Sequence, residues 1–580
     1  MTPGKVATGT GTAGTGTAGG RLLRLMPGLT LWLLAVPVLA GFAGTLAPAF
    51  GFDPLSGTGP GLAAFTTLAQ WPGLRAAAWL SVTSGVGSTL LALLISLGVV
   101  ATLIGRPGFA TVQRLLSPLL SVPHAAAALG LAFLIAPSGW TARALSPWAT
   151  GWMQPPDLLI LNDPAGLALT LGLVAKETPF LLLMILAALP QTDARQRMTV
   201  AASLGYGRLA GFALTVLPAL YAQLRLPVYA VLAYAMTAVE MAMILGPTLP
   251  PSLSVQVVTW ATEPNLAHRG TAAAAALLQV VLVVGVLGLW RMGEMGVRRL
   301  VRHAARSGWR AARVDATLQP VLLGLALTPA LALAAGLAGL SVWSVAGLWS
   351  FPDAWPEDLT LATWTRAAPG LWQASITSLT LALTATLAAL VLALACLEAE
   401  HRFGLNPQAW VLWLLYLPLI VPQVAFLPGL QMLALSTGAI GGWAAVAAVH
   451  GVFVLPYVFL SVSAPYRAWD DRIAVQGAAL GASAARVFWR LRLPMLLTPV
   501  LTAAAVGMAV SVGQYLPTLL IGGGRVETLT TEAVALSSGG NRRVIGAYAL
   551  LQMALPAIAF GIALALPRLI YAKRRGMGVV

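Results

Sequence analysis

The chain has 580 residues, 58% hydrophobic and only 9% charged, where a soluble domain carries about 25% charged residues. So much apolar surface cannot be hidden in a water-exposed fold, and a polytopic membrane protein follows. One cysteine, Cys396, excludes an internal disulfide and a cysteine metal cluster, five scattered histidines lack ligand spacing, and the net charge of +16 is not gathered into a nucleic-acid face.

From the N-terminus, residues 1–20 form a Gly/Thr/Ala tract too poor in large apolar groups to fold, and read as a disordered tail. Arg21 and Arg24 then precede an apolar run at 29–50. Ala47-Pro48-Ala49 faintly resembles a signal-peptide cleavage site. The run exceeds the roughly 7–15 residues of a signal core, however, so a retained first membrane helix is expected. Five more runs of spanning length fall at 78–104, 115–136, 166–189, 226–246 and 272–290, and six follow at 318–342, 373–397, 409–435, 443–463, 499–521 and 545–569. Pro118, Pro123 and His124 interrupt the third. Helices are the expected spanning element because a helix satisfies its own backbone in lipid. The fold class read from this pattern is all-α, with twelve transmembrane helices.

The two sets of six match each other. Pro72-Gly73-Leu74, before the second run, recurs as Pro369-Gly370-Leu371; Val122-Pro123-His124 recurs as Val421-Pro422-Gln423, and Pro179-Phe180 as Pro456-Tyr457. An even number of spans per half gives both halves one orientation, hence parallel six-helix repeats over 21–300 and 318–580. A basic linker at 301–317 joins them, overlapping the seven-arginine stretch Arg291–Arg313. With the N-terminus inside, 26 of the 34 Lys and Arg face the cytoplasm; Arg75, Arg143, Arg269, Arg366, Arg525, Arg542 and Arg543 lie outside, and Lys176 lies within a span. The positive-inside rule therefore predicts that both termini are cytoplasmic.

Two predicted cytoplasmic loops, near 191–225 and 466–492, carry one pattern, once in each half. The first reads Ala201-Ala202-Ser203-Leu204-Gly205, then Leu217-Pro218; the second reads Ala478-Ala479-Leu480-Gly481, then Leu493-Pro494 at the same distance. Alanines favour a short stiff helix, glycine permits a sharp bend, and proline suits a helix start. This resembles the cytoplasmic EAA loop of bacterial ABC importer permeases, in the fused two-repeat form found in thiamine and ferric iron importers. The pattern's glutamate falls at Thr199 and Val475, which are not acidic, while Asp193, Asp470 and Asp471 lie one to two turns upstream as substitutes.

The resemblance implies a non-enzymatic permease of the bacterial inner membrane. It implies two copies of a separate ABC ATPase gripping the two loops and carrying ATP and magnesium, and a periplasmic binding protein delivering a small solute. The chain contains no GxxxxGK[ST] phosphate loop, and no cofactor is expected on it. No nucleic acid is expected as a partner; the lipid bilayer is.

Charges inside spans are costly and mark function or pairing. Lys176 and Glu177 fall mid-span in the fourth run and Glu240 in the fifth, with Gln514 near the place matching Glu240 in the second half. They read either as a one-sided polar patch lining a pathway for a cationic or organic solute, or as helix-pinning pairs. An ion-coupled secondary transporter using Lys176, Glu177 and Glu240 as a relay is the rival function. His124 and His450 read as satisfied helix contacts, and tryptophans such as Trp71, Trp148 and Trp355 as an interfacial belt.

Overall fold

The computed structural model describes residues 18–52, 59–106, 108–109, 122–265, 267–308, 310, 312–405 and 408–571. The tail reading for residues 1–17 and the first part of the third predicted span, 115–121, lie outside these. Among the described residues the secondary structure is helical apart from one isolated bridge between Ala346 and Leu359.

Among the described residues ten helices are long and apolar enough to cross a membrane. In chain order they are Gly20–Ala49, Leu74–Leu103, His124–Leu145, Leu167–Thr192, Arg208–Thr237, His268–Arg306, Asp315–Val345, Ala362–Phe403, Trp443–Arg467 and Arg542–Ile570. Two bent pairs complete the series: Trp413–Ile420 with Gln423–Ser436, bent by 90°, and Ala484–Met495 with Leu497–Val512, bent by 74°. With each pair taken as one, these are spans 1 to 12, the bent pairs being spans 9 and 11. Each predicted run overlaps one of them in its described residues.

Four expectations need correction. Span 1 begins inside the predicted tail, since its helix starts at Ala18. The helix of span 6 continues to Arg306 and the next begins at Ala312, so most of the predicted linker is helical. The fifth run, 226–246, is not one helix. Leu217–Thr237 ends at Ala238, whose ψ of 125° leaves the helical region, and a separate short helix runs Glu240–Leu245. The eleventh run breaks alike, between Leu497–Val512 and Leu516–Gly522.

Such breaks expose backbone groups that lipid cannot satisfy, and here side chains satisfy them. Gln279 Nε2 donates to the Met236 carbonyl at 2.9 Å and Ser254 Oγ to the Ala238 carbonyl at 3.3 Å. In the second half Thr530, the counterpart of Ser254, donates its hydroxyl to the Val512 carbonyl. A second matched bond holds the segment after each break. The Leu253 N–H donates to Ser81 Oγ at 3.1 Å, and the Leu529 N–H to Ser378 Oγ at 2.9 Å.

The halves interlock through their first helices. Span 1 crosses to the second half and lies on spans 8 and 9: Thr45 Oγ1 accepts from the Gly429 N–H of span 9 at 3.0 Å, and Cys396 Sγ of span 8 donates to Thr30 Oγ1 at 3.0 Å. Span 7 does the converse, lying on span 3 with Gly336 against Gly130. Small residues at these crossings let backbones touch, which is how helices bind tightly without a hydrophobic driving force between them. At the end of the bundle opposite the two loops, buried Arg143 stacks 4.9 Å from the Trp349 ring and donates to the Ser350 carbonyl at 2.7 Å. Arg542 there donates to Ser138 Oγ at 2.8 Å. These two arginines staple loops of one half to the other.

Candidate functional site

Each loop builds the same object from the same sequence signals. In the first, helix Ala194–Ser203 ends in a left-handed turn at Gly205, φ 77°. The Gly205 N–H donates to the Ala202 carbonyl at 3.0 Å and the Tyr206 N–H to the Ala201 carbonyl at 3.0 Å. In the second, helix Asp471–Ala479 ends at Gly481, φ 80°, with Gly481 N–H to Ala478 at 2.9 Å and Ala482 N–H to Gly477 at 3.0 Å. Both are Schellman closures, in which glycine at the left-handed position avoids the Cβ clash that other residues suffer.

After the glycine the match continues. A four-residue helical turn, Arg208–Gly211 or Ala484–Val487, leads into a π-helical segment, Phe212–Val216 or Phe488–Arg492. Leu217-Pro218 and Leu493-Pro494 then open the next helix with proline in its first turn. There proline's missing N–H costs nothing. The second-half helix stops at Met495 and turns through 74°, whereas the first runs on to Thr237.

The short helices bury one face only. Ala201 is buried, and Gly477 at the matching place packs toward Val487 and Leu491. Ala202, Ala478 and Ala479 are exposed, and so are the apolar Leu204 (59%) and Leu480 (89%) just before each glycine. Thr199 and Val475, at the pattern's acidic place, face solvent. The proposed substitutes are engaged within the chain or turned from that place. Asp470 caps its helix by accepting from the Arg472 N–H at 3.0 Å, Asp471 lies 3.4 Å from His401 Nδ1, and Asp193 stands at the helix start with φ 48°.

A second polar assembly lies at the helix break of span 5. Tyr234 Oη donates to Glu240 Oε1 at 3.0 Å, the Tyr234 and His124 rings are 4.7 Å apart, and His124 Nε2 is 3.4 Å from Glu177 Oε1. Spans 3, 4 and 5 thus bring both carboxylates into one chain of contacts. Across it, from the second half, Tyr515 Oη lies 3.5 Å from Met243 Sδ. Lys176 is buried beside Glu177. Gln514 is half-buried in the break of span 11, but the matched helix starts put Leu516, not Gln514, opposite Glu240. His450 is the satisfied helix contact that was expected, at 2.8 Å from Ser511 Oγ and 2.9 Å from Thr518 Oγ1. His124 is also in contact with neighbouring helices, through Glu177 and Tyr234, and so joins the polar assembly. Among the described residues no cluster of three or more His, Cys, Asp or Glu could hold a metal ion.

No family model matches the chain. It is 33% identical over 488 residues to the inner membrane ABC transporter permease protein YnjC of Escherichia coli K12, covering 84% of this chain and 87% of that one. The chain belongs to the ABC transporter permeases. The permease is also 30% identical over 228 residues to PhnV of Salmonella typhimurium, named for a 2-aminoethylphosphonate transport system (38% of this chain, 83% of that one). It is 26% identical over 187 residues to the spermidine/putrescine transport system permease protein PotC of Haemophilus influenzae (32% and 72%). These relatives are transport permeases rather than enzymes, and this chain is likewise a non-enzymatic, multi-pass permease subunit of an ABC importer in the inner membrane.

Sequence reasoning missed a buried ionic network beneath the second loop of the permease. Arg492, 2% exposed, donates from Nη1 to Glu398 Oε2 at 2.6 Å and from Nη2 to His401 Nε2 at 2.5 Å. Its guanidinium lies 4.3 Å from the Trp469 ring centre. Beneath the first loop, buried Glu294 on span 6 accepts from Tyr221 at 3.0 Å and Arg225 at 3.1 Å, and Asp315 Oδ1 accepts from the Leu209 N–H at 2.6 Å. Glu294, Glu398 and Asp315 stand just beyond the ends of apolar runs, on the side of the two loops, where a charge reads as an ordinary polar flank. Only the fold shows them turned inward.

Proposed function

We propose that this permease forms the solute pathway of an ATP-driven importer and couples to a separate ATPase through the loops around Gly205 and Gly481. The observation that carries this is the duplicated loop: helix, left-handed glycine, π segment and Leu-Pro, in the same order and spacing in both halves. One ATPase copy engages each loop at Ala201, Ala202, Gly205, Leu217 and Pro218, or at Ala478, Ala479, Gly481, Leu493 and Pro494. ATP and magnesium stay on those subunits. The two halves act as parallel six-span repeats with both termini cytoplasmic, and a periplasmic binding protein delivers solute to the opposite face. ATP-driven closure favours the outward-open state because the loops bind the closed ATPase differently.

The pathway in this reading runs between the broken spans 5 and 11, past Lys176, Glu177, Glu240 and Gln514. Two carboxylates with tyrosine rings beside them suit a small organic cation, whether thiamine-like or an amine, better than an anion. Ferric iron is the other cation that the resemblance allows. The solutes for which these relatives are named, spermidine, putrescine and 2-aminoethylphosphonate, all carry an amine. The ion-coupled relay finds no support among these relatives.

The test is recovery of tagged permease from membranes. An ATPase subunit should come with it and should hydrolyse ATP faster when the cognate binding protein is loaded. A permease that purifies alone, and moves solute down an ion gradient without ATP, would return the secondary-transporter reading.

A further inference from the structure

Arg492 is the largest side chain fully buried in the described structure. A buried guanidinium is costly unless well paired, and an apolar residue of similar size often serves stability as well or better. The protein itself supplies that comparison. The equivalent place in the first half, at the same end of the other π segment and directly before its Leu-Pro, is Val216, fully buried. The π segment and the Leu-Pro start form there without a charge, so the fold of the loop does not require Arg492.

What Arg492 adds is attachment. Its Nη1 reaches Glu398 on span 8 at 2.6 Å and Tyr466 Oη on span 10 at 3.2 Å. Nη2 reaches His401 at 2.5 Å, and because His401 Nε2 accepts, its Nδ1 proton faces Asp471 on the loop helix at 3.4 Å. Tyr466 also donates to Glu398, and Arg402 holds the other carboxylate oxygen at 2.5 Å. Close by, Arg467 grips Glu400 with Nε at 3.1 Å and Nη2 at 2.9 Å, binding span 10 to span 8. The first loop is fastened elsewhere, through Asp315 at the start of span 7 and through Arg208, which donates to the Ile104 carbonyl at the end of span 2 at 2.5 Å.

We infer that the Arg492–Glu398 pair is a mechanical joint that makes the second loop move as one body with spans 8 and 10, while the first loop, fastened to spans 2 and 7, moves separately from them. Arg492 is a positioning residue in this scheme and touches neither solute nor ATPase. The inference rests on the loops being the coupling elements.

The permease–ATPase complex in lipid nanodiscs, in a Cys396→Ser background, tests it with spin labels at Gln476 on the loop and Leu387 on span 8. Trapping with ATP and vanadate should leave that distance unchanged in the parent, while a label at Gln196 on the first loop shifts relative to Leu387. The double variant Glu398→Gln/Arg492→Met removes both charges, so melting temperature and ATPase recovery should stay near the parent values. Its 476–387 distance should nonetheless broaden and shift by several ångströms on trapping. A double variant that keeps the parent's fixed distance overturns the joint. If the double variant does not assemble, Arg492→Lys decides, since an ammonium keeps the charge but cannot reach Glu398 and His401 together. An unbroadened distance there also overturns it. A parent complex in which no ATPase is recovered fails the coupling reading itself, a distinct result.

Discussion

Gly130 and Gly336 meet backbone to backbone: a Cβ on Gly336 would lie 2.6 Å from the Gly130 carbonyl carbon. Gly44 and Gly429 repeat the contact between spans 1 and 9, where a Cβ on Gly44 would lie 2.8 Å from the Gly429 carbonyl oxygen. No backbone shift at one crossing relieves the other, so each half is clasped by the other's first helix.

Gly336→Val should therefore loosen the assembly without touching the loops or the polar assembly. Overpacking of this kind costs about 1–3 kcal/mol. Thermal unfolding in detergent should move down by several degrees, whereas Gly324→Val on the same helix, where a Cβ meets nothing within 4 Å, should leave it in place. Equal melting of the two variants would contradict the clasp.

Gly481 has φ 80° and open space around its Cβ position. Gly481→Asp or Gly481→Val therefore strains the backbone by about 1–2 kcal/mol locally without a clash inside the permease. Membrane levels should stay normal while uptake falls at least tenfold, because the turn that sets Leu480 outward is lost. Gly205→Val should act alike. Normal uptake in Gly481→Asp removes the loop from the coupling role.

Orientation is open to chemical labelling. In a Cys396→Ser background, a cysteine at Arg302 should resist a membrane-impermeant thiol reagent in intact cells, and one at Glu357 should react. The reverse pattern would put both termini and both loops outside.

Glu240 accepts from Tyr234 at 3.0 Å. If the pair lines the pathway for a cation, Glu240→Gln preserves shape and hydrogen bonding but removes the charge. Uptake should fall by an order of magnitude or more, with ATP hydrolysis stimulated by the loaded binding protein retained. Lys176→Met added to Glu240→Gln should not restore uptake. Joint rescue of uptake and thermal stability by Lys176→Met would make Glu240 a helix-pinning partner instead.

Much of this was legible in the residue order. The apolar runs gave all twelve spans because lipid demands length and composition, both of which are local. The loops were legible because Gly205 and Gly481 must be glycine for a left-handed turn, and a proline two residues into each helix marks its start. The breaks in spans 5 and 11 were not. Thr237-Ala238-Val239 and Val512-Gly513-Gln514 hold no proline or charge to mark a break, and the carbonyls that it frees are satisfied by a hydroxyl or amide on another helix, from Ser254, Gln279 or Thr530. The same blindness hid Glu398 and Arg492, 94 residues apart. A long-range ion pair leaves no spacing to read.

The exchanged first helices also set an order of events during synthesis. Thr45 finds its partner Gly429 only after 384 further residues have been added. At about 5–20 residues per second, that is a wait of roughly 20–80 s. Through that interval span 1 stands in the bilayer with its seat unbuilt, exposing Gly41, Gly44 and Thr45 to lipid or to whatever insertion factor shields them. A ribosome stalled between the two halves would leave a helix that is inserted, correctly oriented and still without its docking site.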